Sequence, residues 1–417
     1  MTDLNVTNAS QLVRVCDRGA SRRGAEQGAL DLVADGAVAI RDGVIVAVGA
    51  TATMLREYGQ EVPTFDASGM TVLPGLIECH SHPLFAGSRH GEYAERLAGA
   101  SLAEIAQRGG GIWASVEATR AESDAVLLDR LSSTYRRIVA GGVTSLEVKS
   151  GYGLTAESEL RQLSLLEQSR ASTPLSLVIS FLGAHVVPAD RDADSYTDEV
   201  LEMLAAVVAQ GIASFHDITC ERGLFTPAQA GRLFDRSRQL GFPTKAHADA
   251  WAASDGWRTA VAGGAVSAEH LTYTPDEEIR EVGQTDTIAV LLPQAELVYM
   301  TDRRANARLL VEQEVPVAIA TDYCSSIHAT SLTTTIGLAA PWFRLTPAEA
   351  IVGATLNAAY ALGASNDRGS IDHGKRGDLT VLAIEHPDEL CLAVGQNVVS
   401  DVIIGGRVQH SNRPYPR

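Results

Sequence analysis

Five of the chain's eleven histidines fall directly after short apolar runs. His80 and His82 close the segment Glu78-Cys79-His80-Ser81-His82. His185 follows Gly183-Ala184, His247 ends Lys245-Ala246-His247, and His270 ends Ala268-Glu269-His270; Asp322 closes Ala320-Thr321-Asp322 in the same way. Residues two apart in an extended segment point to the same side, so His80 and His82 can reach one ion. A lone histidine at a strand end is usually a hydrogen-bonded or surface residue. Five of them with an aspartate, at corresponding places in successive runs, predict a metal centre. Three neutral imidazoles and one carboxylate suit a single divalent ion, zinc first and iron or manganese after it, with one position left for water. Such an ion brings the pKa of its water toward neutrality. Asp322 is then the candidate to take a proton from that water, and His270 to polarise a carbonyl or hold an oxyanion. This is the chemistry of a hydrolase.

Side chains placed in this way need a scaffold that ends several strands on one face. Runs at 71–77, 143–148, 176–182, 212–218, 243–246, 265–268, 287–292 and 315–320 read as strands. Helix-like stretches such as Asp124–Ala140 and Ala156–Ser169 lie between them, and Thr346-Pro347-Ala348-Glu349 reads as a capped helix start. This alternation predicts an α/β fold, a (β/α)8 TIM-type barrel whose chemistry sits at the C-terminal ends of the strands. A doubly wound open sheet is the poorer fit, because no G-x-G-x-x-G follows the first run. Both chain ends look different. Strand-like pieces at 11–16, 37–41, 44–48 and 64–66, with a hairpin turn at Arg41-Asp42-Gly43, match a tail of strands at 379–383 and 399–404 before Gly405-Gly406. Residues 1–70 and 377–417 are therefore expected to form one small β-sandwich domain, and 71–376 the barrel.

The composition fits a globular enzyme and narrows its partners. The net charge is −17, from 34 basic and 51 acidic residues, which argues against nucleic acid, since phosphate binding needs a basic face. A few local arginines can still bind an anionic small molecule. Cys16, Cys79, Cys220, Cys324 and Cys391 form no C-x-x-C pair and read as reduced thiols. No segment reads as membrane-spanning and the first nine residues lack an apolar signal core. The expectation is a cytoplasmic protein.

The segment Leu73-Pro74-Gly75-Leu76-Ile77-Glu78-Cys79-His80-Ser81-His82 resembles the first-strand signature of the amidohydrolase superfamily. Further segments resemble the imidazolonepropionase family within it: Phe85-Ala86-Gly87-Ser88-Arg89, Gly109-Gly110-Gly111-Ile112, Glu147-Val148-Lys149-Ser150-Gly151-Tyr152-Gly153-Leu154, Phe181-Leu182-Gly183-Ala184-His185, Cys220-Glu221, Lys245-Ala246-His247-Ala248-Asp249 and Leu291-Leu292-Pro293. The resemblance is collinear and spans the barrel. It implies hydrolytic opening of a five-membered ring, imidazolone-5-propionate to formiminoglutamate, in histidine breakdown. It also implies metal ligands His80, His82, His247 and Asp322, catalytic His270, substrate contacts Arg89, Tyr152 and His185, and a homodimer. Arg89 makes sense independently, since a guanidinium on a loop above the mouth can clamp a carboxylate arm. Lys149 is expected to be a structural or supporting lysine beside one metal, not a carbamylated bridge between two.

Two departures lie on the substrate side. The family reads His-Ala-Asp-Glu where this chain reads His247-Ala248-Asp249-Ala250, so a substrate contact and proton carrier is missing. Losing a positioned acid or base costs roughly 10²–10⁴-fold in a reaction that needs it. The family's Thr-Asp-x-Asn-Pro-Gly-Ser loop is here Thr321-Asp322-Tyr323-Cys324-Ser325-Ser326. Cys324 is either a pocket-lining thiol that meets substrate or a small packed residue. The reading is a metal-dependent hydrolase of a small cyclic amide carrying an acidic side chain. Its alternatives are imidazolonepropionase itself, or a hydrolase of a hydantoin- or thiohydantoin-like propionate, including one that releases sulfide. A non-catalytic metal-binding protein is the remaining reading, and metal content measured together with turnover separates it from the others.

Overall fold

The eight runs assemble as an all-parallel sheet in chain order: β1 (Leu76–Glu78), β2 (Val143–Lys149), β3 (Ser176–Ala184), β4 (Phe215–Cys220), β5 (Thr244–Ala248), β6 (Ser267–His270), β7 (Ile288–Leu291) and β8 (Val317–Ile319). The computed structural model describes residues 3–59 and 61–413. Apart from half-buried Ser176 and Val178, every residue of these strands is buried. That is expected of strands covered by helices on one face and packed inward on the other. Just past the strand ends, Ser81 pairs in parallel with Tyr323, and the His82 amide donates to the Tyr323 carbonyl at 2.7 Å. This contact brings the two ends of the sheet together and closes the ring.

The helices show why the sequence winds this way. Asp124–Ala140 buries Leu127, Leu131, Thr134, Tyr135 and Ile138, a stripe at three- and four-residue spacing that faces the strands. Before Pro347–Gly353, the Thr346 hydroxyl accepts the Glu349 amide at 3.2 Å and the Glu349 carboxylate accepts the Thr346 amide at 2.7 Å. Both sides of the expected cap are made.

The run 71–77, expected as one strand, is two. Thr71–Pro74 belongs to a second sheet, and β1 starts only at Leu76. Pro74 has no amide to offer a ladder. Gly75 is required because a Cβ there would lie 2.3 Å from Thr144 Oγ1. The strand that leads to His80 and His82 therefore leaves the second sheet after one residue.

That sheet draws on both chain ends. Its order is Arg407–Ser411, Val399–Ile404, Leu379–Leu382, Thr71–Pro74, Leu4–Val13, Leu32–Arg41, Val44–Ala50, with Thr64–Asp66 beside Leu4–Val13. Val6, Leu12, Val38, Ile40, Val72, Val381 and Ile403 share its core. The hairpin turns at Asp42 and Gly43 with φ of 48° and 79°, both left-handed as a tight two-residue hairpin demands. Residues 1–2, 60 and 414–417 of the expected end unit lie outside the described residues. Among the described residues no helix is long and apolar enough to cross a membrane.

Candidate active site

The strand ends bring the predicted ligands together. Ser81 points away from the cavity, its hydroxyl donating to the Glu147 carbonyl at 2.6 Å, so its neighbours His80 and His82 point in. Their Nε2 atoms are 3.3 Å apart, and His247 Nε2 lies 3.4 Å from that of His82. Asp322 Oδ1 is 3.5 Å from His80 Nε2 and 3.7 Å from His82 Nε2. An ion bonded to nitrogen at roughly 2.0–2.1 Å sets tetrahedral edges of roughly 3.3–3.4 Å. The donor set and its spacing thus fit one divalent ion. All four side chains are buried.

Two of the strand-end residues are held in left-handed backbone: His270 at φ 77° and Asp322 at φ 55°. Such conformations cost on the order of 1–3 kcal/mol each outside glycine and persist only where neighbours fix them. After His270, the Leu271 amide bonds the Ala248 carbonyl at 3.0 Å; after Asp322, the Tyr323 amide bonds Thr321 Oγ1 at 3.1 Å. Glu78 ties the first and last strands by accepting the His80 amide at 3.1 Å and the Thr321 amide at 3.0 Å. His270 stands beside the cluster, its ring centre 5.4 Å from that of His247. Burial pushes the Asp322 carboxyl up to about 7, against the pull of His247 and Lys149.

Beneath the ligands lies a layer of charge that the sequence reading missed. Lys149 Nζ sits 2.6 Å from Asp217 and 2.8 Å from Glu147; Lys245 Nζ sits 2.8 Å from Glu147 and 3.6 Å from Glu269. All five side chains are fully buried. Burial alone would drive the Lys149 ammonium toward neutrality, but Asp217 and Glu147 outweigh it and its pKa is raised. A lysine so paired is a cation and not a carbamate, which supports the reading of Lys149 as a supporting residue. A signal was available: Glu147 and Lys149, like Lys245 and His247, are two apart and so share the inward face of a strand.

Above the cluster opens a cavity of about 500 Å³. It takes in His82, His185, His247, His270 and Asp322 at its base and Arg89, Tyr152 and Cys324 on its walls, so all the predicted substrate-side residues reach it. Glu92 accepts the Arg89 Nε–H at 2.8 Å and the Gly111 amide at 2.9 Å. It thereby aims the guanidinium from the start of helix His90–Leu97 and locks the Gly109-Gly110-Gly111 turn to it, leaving the Nη edge for an anion. Tyr152 donates to Ser325 Oγ at 3.4 Å. His185 is stacked on His82 at 5.2 Å. Its Nδ1 lies 3.0 Å from the Gly151 carbonyl, which makes Nδ1 the protonated nitrogen.

The region around the missing glutamate is not empty of acid. Glu221, after β4, accepts the amides of Ala250 at 2.6 Å, Trp251 at 3.1 Å and Ala252 at 3.1 Å, and the Ser254 hydroxyl at 2.9 Å. With its oxygens so occupied it works as a clamp on the 250–254 loop. The loop presents Ala250 and Trp251 to the cavity, and the Trp251 ring meets that of Tyr299 edge-on at 4.6 Å. Opposite, Cys324 and Ile327 exchange backbone hydrogen bonds of 2.8 and 3.2 Å, making a tight turn without the family's Pro-Gly. Cys324 Sγ lies 3.4 Å from Ser326 Oγ, which lies 2.7 Å from the Tyr299 hydroxyl. Burial pushes the Cys324 thiol up to about 12, so it is neutral and able to donate. Cys324 is at once packed and pocket-lining. Trp251, Tyr299 and Ser326 were not anticipated from the sequence.

The chain is similar to known proteins over nearly its whole length. The Amidohydrolase family profile matches residues 71–408, and one described as "Imidazolonepropionase-like composite domain, bacteria" matches residues 36–60. Imidazolonepropionase of Geobacillus kaustophilus (strain HTA426) is 39% identical over 417 residues, covering 98% of each chain. That of Symbiobacterium thermophilum is 38% identical over 413 residues, covering 97% of each. Among solved structures, an adenosine deaminase from Xanthomonas campestris with bound zinc superimposes with a TM-score of 0.71 at 21% identity, covering 99% of this chain and 93% of the other. At that identity the likeness speaks for the fold alone.

Proposed function

The chain belongs to the amidohydrolase family and, within it, to the imidazolonepropionase family, and from that premise we propose that it opens the C–N bond of a small cyclic amide bearing a carboxylate arm. The observation that carries the reading is the convergence of His80, His82, His247 and Asp322 at the base of the cavity that Arg89 overlooks. A divalent ion held by those four, zinc by preference, would acidify a water and polarise the ring carbonyl. The protein's own groups do the rest. Arg89 takes the carboxylate arm through its Nη donors, while Tyr152 and His185 hold the ring over the base. Asp322 receives the proton of the attacking water, and His270 hydrogen-bonds the oxygen on which negative charge develops. Collapse breaks the ring C–N bond, and Asp322 returns the proton it took from the water to the departing nitrogen.

One observation favours a ring other than imidazolone. Where the family pattern has a glutamate, Ala250 leaves space, and the cavity wall carries a row of neutral groups hydrogen-bonded in series, Tyr299 hydroxyl, Ser326 hydroxyl and Cys324 thiol, with one hydrogen left over to donate. Such a row suits an additional exocyclic acceptor on the ring, as in a hydantoin- or thiohydantoin-like propionate. The test is turnover by the zinc-loaded protein of imidazolone-5-propionate beside cyclic ureas, thioureas and lactams with and without an acid arm. The reading expects hydrolysis only with the arm, and faster for the doubly substituted ring. Hydrolysis of none of them by protein holding stoichiometric metal would reject it in favour of a non-catalytic metal-binding protein.

A further inference from the structure

Asp217 lies in the middle of β4, fully buried, two residues inside the barrel from the cavity wall. One carboxylate oxygen, Oδ1, is 3.0 Å from His247 Nδ1, and the other, Oδ2, is 2.6 Å from the Lys149 ammonium. The two contacts are of different kinds. Lys149 is itself pinned to Glu147 at 2.8 Å, so it fixes the plane of the Asp217 carboxylate. An ionised carboxylate can only accept, so its other oxygen requires a proton on His247 Nδ1. The lone pair of that imidazole is then confined to Nε2, the atom that lies 3.4 Å from His82 Nε2 in the ligand cluster. The other two histidines of the cluster lack such support. Among the described residues His80 Nδ1 and His82 Nδ1 are buried without a hydrogen-bond partner, and the Glu269 carboxylate lies 3.9 Å from His80 Nδ1.

We infer that Asp217 is the positioning residue of the metal centre: clamped by Lys149, it sets the tautomer and ring orientation of His247 and so the affinity of the site for its ion. The inference rests on the metal reading of the cluster and on no particular substrate. It also accounts for two buried lysines in the barrel interior. Lys149 and Lys245 each lie within 2.8 Å of a carboxylate oxygen in that layer, and Lys149 is the one that holds Asp217 against His247.

The test is zinc affinity, measured by chelator competition on metal-free wild type and Asp217→Asn. Losing an outer partner of a metal-bound histidine weakens binding about 10–100-fold, and that loss is expected here, with the circular dichroism of the metal-free variant unchanged. A folded variant that binds zinc as wild type does would overturn the inference. A second measurement needs no variant: in zinc-loaded wild type the imidazole ¹H–¹⁵N spectrum should show the His247 proton on Nδ1, shifted downfield by its carboxylate. A His247 that carries its proton on Nε2 would overturn it equally. Zinc that fails to bind wild type at all would sink the metal reading instead, and turnover enters neither measurement.

Discussion

On the metal side of the cavity, each side chain stands on a strand or within a few residues of its end, over a packed layer of ion pairs. On the substrate side, Arg89, Ala250, Trp251, Tyr299 and Cys324 stand on loops and short helices, tied down by Glu92, by Glu221 and by a four-residue turn. The two sides therefore tolerate different amounts of change. A ligand moved by half a residue would lose the ion, whereas a loop can exchange its reading residues while its anchors stay. By the resemblance of its sequence motifs, the chain keeps the family pattern on the first side and departs from it on the second, at Ala250 and from Cys324 onward.

The largest effect is expected on the metal side. His247→Ala removes a proposed ligand that Asp217 holds in place, and should lose most bound metal and nearly all turnover, as loss of a metal-activated nucleophile implies. Metal analysis and a progress curve check it. Turnover near wild type would break the comparison at its firmer half.

On the substrate side Ala250→Glu is the sharper probe, because it restores the relatives' residue on a backbone that Glu221 already clamps. If this cavity reads another ring, imidazolone-5-propionate hydrolysis should rise from a weak background by about 10²–10⁴-fold, the usual worth of a positioned acid or base. Hydrolysis of the natural ring should fall as the space fills. A wild type already fast on imidazolone-5-propionate, and indifferent to the substitution, would make the departure neutral and the chain an ordinary member of its family. Arg89→Lys comes next. A point charge replaces a forked donor, and the Glu92 contact through Nε is lost. KM should rise by about tenfold, on the order of 1.4 kcal/mol, with kcat little changed. A drop in kcat at constant KM would mean that Arg89 acts on the reacting ring and not on its arm.

The contrast also explains what could be read in advance. The strands of the barrel and the gathering of His80, His82, His247 and Asp322 at their ends were legible, because short buried runs punctuated by histidine carry both signals at once. Thr71–Pro74 was not separable from β1, since both are apolar and only the clash of a Cβ with Thr144 marks the break at Gly75. Asp217 and Lys245 were passed over inside runs read for their apolar residues, although their inward parity was available. Trp251 and Tyr299 meet at 4.6 Å across 48 residues of chain. No local periodicity sets the course of the loops that bring them together, so that wall had to be seen in three dimensions.

One histidine of the barrel stands outside this division and gives the smallest effect. His216 is fully buried in β4, one residue before Asp217 and therefore facing outward; its ring stacks on Phe181 at 5.2 Å and its Nδ1 lies 2.7 Å from Ser237 Oγ. Burial pushes its pKa down to about 3, so it is neutral when folded at any ordinary pH. An unfolded histidine titrates near 6.5 and takes up a proton that the folded one refuses. Its contribution is thus fully present above pH 6.5 and is lost as pH falls toward 3. Between pH 7 and 5 the loss amounts to about 2 kcal/mol, at 1.36 kcal/mol per unit. His216→Phe, which cannot take up that proton, should therefore hold its urea-unfolding free energy about 2 kcal/mol better than wild type over that interval, whatever its stability at pH 7. Equal acid sensitivity in the two metal-free proteins would place the acid-labile groups among the cavity histidines instead, and would make the metal side the part of the barrel that fails first at low pH.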